Sequence, residues 1–275
     1  MTEGFLRKDH LLHGALKRHN EALARKEAEE NPPVQGPITA CIGAPETFSK
    51  EDSEALAALQ SEFVDYKGSR GDARELNQTR GMDPAYVISA LSNTNKHSNK
   101  YINCIGAALV VTDVATGKNI SLLSHQHVLN LIGKSSQKLK DQDFRDAFSN
   151  LLHEFMRRTE KGTRDAVIFG GNYFRNERAR DANMPTSSFA DNYVDAVKVL
   201  SATIAEVIGL DAHVVVGPQT RGGDIDVTLD TQNRRLYIVR LEQPGFENNV
   251  NFPASKIDEY IPLWDKEEKR RSEKK

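Results

Sequence analysis

The stretch YINCIGAALVVTDVATGKNISLLSHQHVL, residues 101–129, decides the fold. Tyr101 to Thr112 is a near-continuous apolar run, the pattern of a buried strand. Asp113-Val-Ala-Thr-Gly117 is turn-forming, and Asn119 to Val128 reads as a second strand. The short connection predicts an antiparallel hairpin. That hairpin carries Cys104 on its first strand and His125 near the end of its second. The chain has 2 cysteines, the other being Cys41, so a thiol placed beside an imidazole draws notice. Such a pair can act as nucleophile and base in acyl transfer.

Outward from the hairpin, the pattern alternates between strands and helices. Phe144, Phe148, Leu151, Leu152 and Phe155 predict an amphipathic helix, with Asp143 capping its start and Gly162 ending it. Asp165 to Phe169 reads as a short strand closed by Gly170-Gly171. Phe189 to Ile208 reads as a helix with Val194, Val197, Leu200 and Ile204 inward. Ala212 to Val216, Asp224 to Leu229 and Arg235 to Leu241 follow as strands, the middle one alternating and so half-buried. Residues after Pro244 read as irregular, ending in a mixed-charge tail from Lys266.

Upstream, residues 1–30 predict a charged helix with a thin stripe of Phe5, Leu12, Leu16 and Leu23, stopped by Pro32-Pro33. Ser49 to Asp65 predicts a second helix. Asp83-Pro84 predicts the start of a short third one through Tyr86, Val87, Ala90 and Leu91. Lys67 to Gly81 reads as a surface loop. The expected organisation is a helical N-terminal extension over 1–95, a mixed α/β core over 96–245, and a C-terminal extension with a charged tail over 246–275.

The bulk properties exclude several classes. A net charge of −2 with scattered basic residues gives no field suited to nucleic acid. No run approaches the roughly 18 apolar residues of a membrane span, and Met1 to Glu30 is too polar for a secretory signal. Two cysteines make no disulfide framework, so free thiols in a reducing, cytoplasmic setting are expected. Export without a cleaved signal would leave no mark here.

Cys104 needs a partner to be more than a small core residue. His125 is the candidate base, and His127, on the same strand face, is the alternative. The His-x-His pair also fits two metal ligands, although no third ligand stands at metal spacing. A third polar group should orient the imidazole; Ser98 is a candidate, and Asn103 could donate to an oxyanion. Gly170 and Gly171 permit a turn with positive φ or a close approach of substrate. Arg221-Gly222-Gly223-Asp224 is another glycine turn, not a phosphate loop.

The order of these features resembles that of the CheD family of chemoreceptor glutamine deamidases and, more distantly, the catalytic domains of the cytotoxic necrotizing factor toxins. The resemblance spans about 97–243. It rests on Cys104 on one strand, His125 on the next, Ile168-Phe-Gly-Gly-Asn172, the helix entry Phe189 to Val197, and the turn Thr220 to Gly223 followed by two strands. Departures are Ile102-Asn103 where the family has small residues, Ser98 where it has threonine, and a longer gap between cysteine and histidine. The resemblance implies a layered sheet or sandwich with outer helices. It also implies a protein glutamine deamidase with Cys104 as nucleophile, His125 as base and Ser98 as third member. No cofactor is required, and the partner is a protein bearing a reactive glutamine. An amine in place of water would give transglutamination. The extra N-terminal region points to a substrate other than a chemoreceptor, with an effector translocated into a host cell as one case. Two other classes stay open: a non-catalytic binding module with Cys104 inert, and a metal-dependent hydrolase using His125 and His127.

Overall fold

The computed structural model describes residues 3–64, 86–98, 101, 104–132, 138–160, 162–171, 173, 189–215, 225–240 and 251–273. The expected hairpin forms β4 (Cys104–Thr112) and β5 (Asn119–His127), antiparallel in one register from Cys104–His127 to Thr112–Asn119. It is the centre of a sheet with β6 (Asp165–Gly170), β7 (His213–Val214), β10 (Phe252–Pro253) and β2 (Tyr86–Ile88), in the order β10-β7-β6-β4-β5-β2. A second sheet has the order β1-β9-β8-β3, from β1 (Thr39–Gly43), β9 (Arg235–Arg240), β8 (Ile225–Asp230) and β3 (Lys96–Ser98). The chain is thus a mixed α/β protein built on two mixed-topology sheets.

Alternation of side chains divides β4 between two cores. Ile105, Ala107, Leu109 and Val111 face a helical layer of α4 (Lys138–Arg158), α5 (Phe189–Ile208) and α6 (Ile257–Glu273). Cys104, Ala108 and Val110 face Val227, Leu229, Leu236 and Ile238 of the other sheet. Both faces of the strand are therefore apolar, as its sequence requires, and each buried branched side chain contributes about 1.5–3 kcal/mol. Behind the smaller sheet, α2 (Lys50–Val64) packs Leu56 and Leu59 on Tyr237 and Val239. Ser49 starts α2, its Oγ accepting from the Asp52 N–H at 3.0 Å.

Five expectations are corrected. Tyr86–Ile88 is a strand on β5, not a helix: pairing with an exposed sheet edge outweighs the local Asp-Pro signal. Helix α4 begins at Lys138, upstream of Asp143, and ends before Gly162. Thr228 is buried instead of outward-facing, because α2 covers β8; its Oγ1 lies 3.0 Å from His97 Nδ1. The chain after Pro244 is not irregular throughout: a helix runs from Ile257 into the mixed-charge tail. Helix α6 buries Ile257 and Trp264, and Trp264 packs against Tyr173, Tyr193 and Phe252. The first 95 residues contain the expected α1 (Glu3–Glu30) and α2, and also supply β1 and β2, one to each sheet, so they are not wholly helical. Lys67 to Gly81 and the Thr220 to Gly223 turn lie outside the described residues.

Candidate active site

Cys104 opens β4, and its partner across the ladder is His127. The same register runs on to Ala108–Leu123, which sets Gly106 opposite His125. Cys104, Gly106 and Ala108 therefore share a face with Leu123, His125 and His127, and Ala108 and Leu123 lie in the core between the sheets. Directly opposed Cβ atoms lie about 4.5–5.5 Å apart and diagonal ones roughly 7–8 Å. The thiol thus has His127 straight across and His125 on the diagonal.

The other sheet supplies the third group. Ser98 ends β3, and its Oγ lies 2.9 Å from His125 Nδ1. This bond bridges the two sheets where Ser98 and His125 are 1% and 0% exposed, so water does not compete for it. Tyr101 closes the arrangement. Its N–H donates to the Ile225 carbonyl at 3.2 Å, and its ring stacks on the His125 imidazole with centroids 3.8 Å apart and planes 15° from parallel. The phenol donates to the Ser124 carbonyl at 3.0 Å, and Phe169 meets the Tyr101 ring edge-on. Burial, with some help from the Cys104 charge, holds the Tyr101 phenol well above its ordinary value.

Burial and the adjacent His127 imidazole push His125 down to about 3. It is neutral at pH 7 and retains the lone pair a base needs. Burial also lowers His127, but its nitrogens are differently engaged. His127 caps α3 (Val128–Leu131), its Nδ1 accepting from the Leu129 N–H at 3.2 Å. A neutral imidazole has one N–H and one lone pair. With the lone pair taken at Nδ1, His127 carries its proton on Nε2 and is poorly set to receive another. Of the two histidines, His125 is the better placed base.

Gly170 and Gly171 adopt φ of +85° and +84°, and the Gly171 N–H donates to the Cys104 carbonyl at 2.7 Å. That N–H is committed to the backbone, so Gly171 does not offer it to an oxyanion. A Cβ on Gly170 would lie 2.7 Å from the Cys104 carbonyl, and one on Gly171 would lie 2.4 Å from the Tyr193 ring. The pair lets β6 turn away tightly beneath Cys104 and fixes the backbone there. Asn103 and Asn172 lie outside the described residues. Among the described residues, no group of three or more His, Cys, Asp or Glu side chains gathers as a metal cage, and no helix is long and apolar enough to cross a membrane.

Neither cysteine forms a disulfide. Cys41 stands on β1 beside Asp52 and Arg235, each 3.6 Å from its Sγ, and burial raises its thiol despite the guanidinium. Sequence reasoning singled out Cys104, Ser98 and His125, which the fold brings to one end of the intersheet space. It missed Tyr101 and Gly106 as parts of the site. An aromatic ring midway between Ser98 and Cys104, and the one glycine in an otherwise apolar strand, were the available signals. A scan against protein-family models finds no match, and a search of curated proteins finds none either.

Proposed function

We propose that this chain is a cysteine-dependent protein-glutamine deamidase of CheD-like type. The observation that carries the reading is the Ser98–His125 bond of 2.9 Å, made on the strand face that also bears Cys104. A buried hydroxyl that orients a neutral imidazole next to a thiol is the arrangement covalent acyl transfer requires. The two-sheet core with outer helices agrees with the layered architecture the resemblance implies.

In the proposed cycle, Cys104 Sγ attacks the side-chain carboxamide carbon of a glutamine on a partner protein. Its proton passes to His125 Nε2 and then to the departing nitrogen, which leaves as ammonia. N–H groups around Cys104, Asn103 among them, hold the oxyanion; such preorganised donors usually give the largest stabilisation. Water then gives a proton to His125 and adds to the thioester carbon. The thiolate departs, regains that proton, and the side chain is now glutamate. An amine in place of water would leave a cross-linked amide.

One observation favours a second reading. Cys104 is only 8% exposed, as an inert core thiol in a binding module would be. One experiment decides between the two. A soluble proteome is treated with the protein in oxygen-18 water and its glutamines are read by mass spectrometry. The deamidase reading expects oxygen-18 glutamate at particular sites with the wild type and none with Cys104→Ala. Equal labelling by both proteins, or no labelling by either, would count against it.

A further inference from the structure

We infer that helix α1 is a self-association arm, whose stripe of Phe5, Leu12, Leu16 and Leu23 pairs antiparallel with α1 of a second copy of this chain. The helix is 28 residues long and is held to the body near its C-terminal end. There Ala28 is buried against the Gly117 turn, Arg25 donates to the Val114 carbonyl at 2.9 Å, and Glu27 pairs with Lys118 at 2.6 Å. The apolar row lies on another side. At about 100° per residue, Leu16, His19 and Leu23 sit roughly 100–160° round the helix from the line of Ala24 and Ala28. Leu16 and Leu23 are 57% and 54% exposed, and Ala15, His19 and Ala22 beside them are exposed too. A helix is ordinarily stabilised by burying its apolar stripe, since isolated helices are marginal in water. Here the body covers a different side.

What fits that row is the same row reversed. Positions 5, 9, 12, 16, 19 and 23 alternate steps of four and three, the seam of a coiled coil. The seam reads the same in both directions about residue 14. In an antiparallel pair centred there, Phe5 stands opposite Leu23 of the second copy, Leu12 opposite its Leu16, and Asp9 opposite its His19. Each apolar residue meets an apolar one, and the carboxylate meets an imidazole able to donate to it. A parallel pair would set Asp9 against Asp9, and like charges brought together oppose association. One polar position in a seam is enough to fix how two helices align. Ala15 and Ala22 flank the leucines and let the second backbone come close. The two bodies, joined near residue 24, lie about 30 Å apart along the axis and leave the seam clear. This pairing does not depend on the deamidase reading.

The test is sedimentation equilibrium of the full chain from micromolar to hundreds of micromolar, with wild type, Leu16→Glu/Leu23→Glu, Asp9→Arg and Asp9→Arg/His19→Glu. Wild type should approach twice the chain mass. The two glutamates, at exposed positions, should weaken association by about a hundredfold or more and leave the thermal melt of the body unchanged. Asp9→Arg should weaken it, and adding His19→Glu should restore it, which a parallel pair would not allow. Spin labels at position 29, in a chain with both cysteines changed to serine, read the direction by pulsed EPR: about 45 Å apart when antiparallel, within about 15 Å when parallel. A wild type that keeps the single-chain mass, a dimer indifferent to Leu16→Glu/Leu23→Glu, an exchange of charges that restores nothing, or the short label distance overturns the proposal. If a variant does not fold, the wild-type mass still decides.

Discussion

Gly106→Ala is the smallest change that should disturb both the fold and the site. The backbone at Gly106 is extended, so the alanine meets no φ penalty, and in a strand interior it would ordinarily gain about 0.5–1 kcal/mol. Space decides otherwise. The new Cβ would lie 2.5 Å from the Ser124 carbonyl oxygen and 2.7 Å from two atoms of the Phe169 ring. The carbonyl is main chain in a strand paired on both sides, and Phe169 is fully buried, so neither yields cheaply. Overpacking of this kind costs about 1–3 kcal/mol, and three contacts under 3.0 Å place it at the upper end. The net loss is about 2 kcal/mol, or roughly 4–8 °C in Tm. The displaced carbonyl is the one Tyr101 donates to, so the Tyr101 ring stacked on His125 should shift with it and change the imidazole environment. Thermal melts of Gly106→Ala read the first effect and imidazole NMR the second. Gly14→Ala on α1 is the control: its Cβ would meet the end of the exposed Arg18 side chain at 3.6 Å, an ordinary contact, and should be neutral or stabilising. A Gly106→Ala protein as stable as wild type would refute the packing described around His125.

Stability should also depend on pH through His125. Its folded-state value is pushed down to about 3, against about 6.5 when unfolded. Above pH 6.5 the group contributes in full; as pH falls toward 3, the unfolded chain takes up a proton the folded one refuses, and up to about 5 kcal/mol is lost. Urea melts between pH 7 and 4 should therefore fall less steeply in His125→Gln, and an unchanged slope would contradict the burial argument. Arg234→Met should cost about 3 kcal/mol by urea titration, because the buried guanidinium donates to the Gly36 and Thr163 carbonyls, Asn119 Oδ1 and Thr112 Oγ1, each of which loses a charged donor; a loss below about 1 kcal/mol would be unexpected. His127→Asn, which keeps a helix-capping acceptor, should retain Cys104 reactivity toward iodoacetamide, whereas His125→Asn should lose it. The opposite pattern would make His127 the base.

The sequence was most legible where the apolar pattern was strongest. Helix α5 runs from Phe189 to Ile208, the span its period predicts, and the hairpin bearing Cys104 and His125 is where the near-continuous apolar run and the turn after it placed it. Short edge strands were not legible. Tyr86–Ile88 and Thr39–Gly43 are strands because a sheet edge is there to pair with, a condition set far away in the chain. Helix α6 was missed although Ile257, Tyr260, Ile261 and Trp264 have helical spacing, since the charged run beyond them dominates the local composition. At the site, residue types and order pointed to Cys104, Ser98 and His125. The choice between the histidines was not legible, because it turns on which nitrogen each backbone or side-chain neighbour engages. The Tyr101 stack was equally hidden, since it joins a residue between two strands to one on β5 that is distant in sequence.

The central claim is that His125, oriented from the second sheet, serves the Cys104 thiol. Its most direct test is the rate of Cys104 alkylation against pH in wild type and His125→Ala, with Cys41 as internal comparison. The account predicts that Cys104 reacts in the folded protein at pH values below the free thiol's of about 8.5, faster than the burial-raised Cys41, and that His125→Ala abolishes this advantage. A Cys104 that is modified only after unfolding, or that reacts identically without His125, would contradict it.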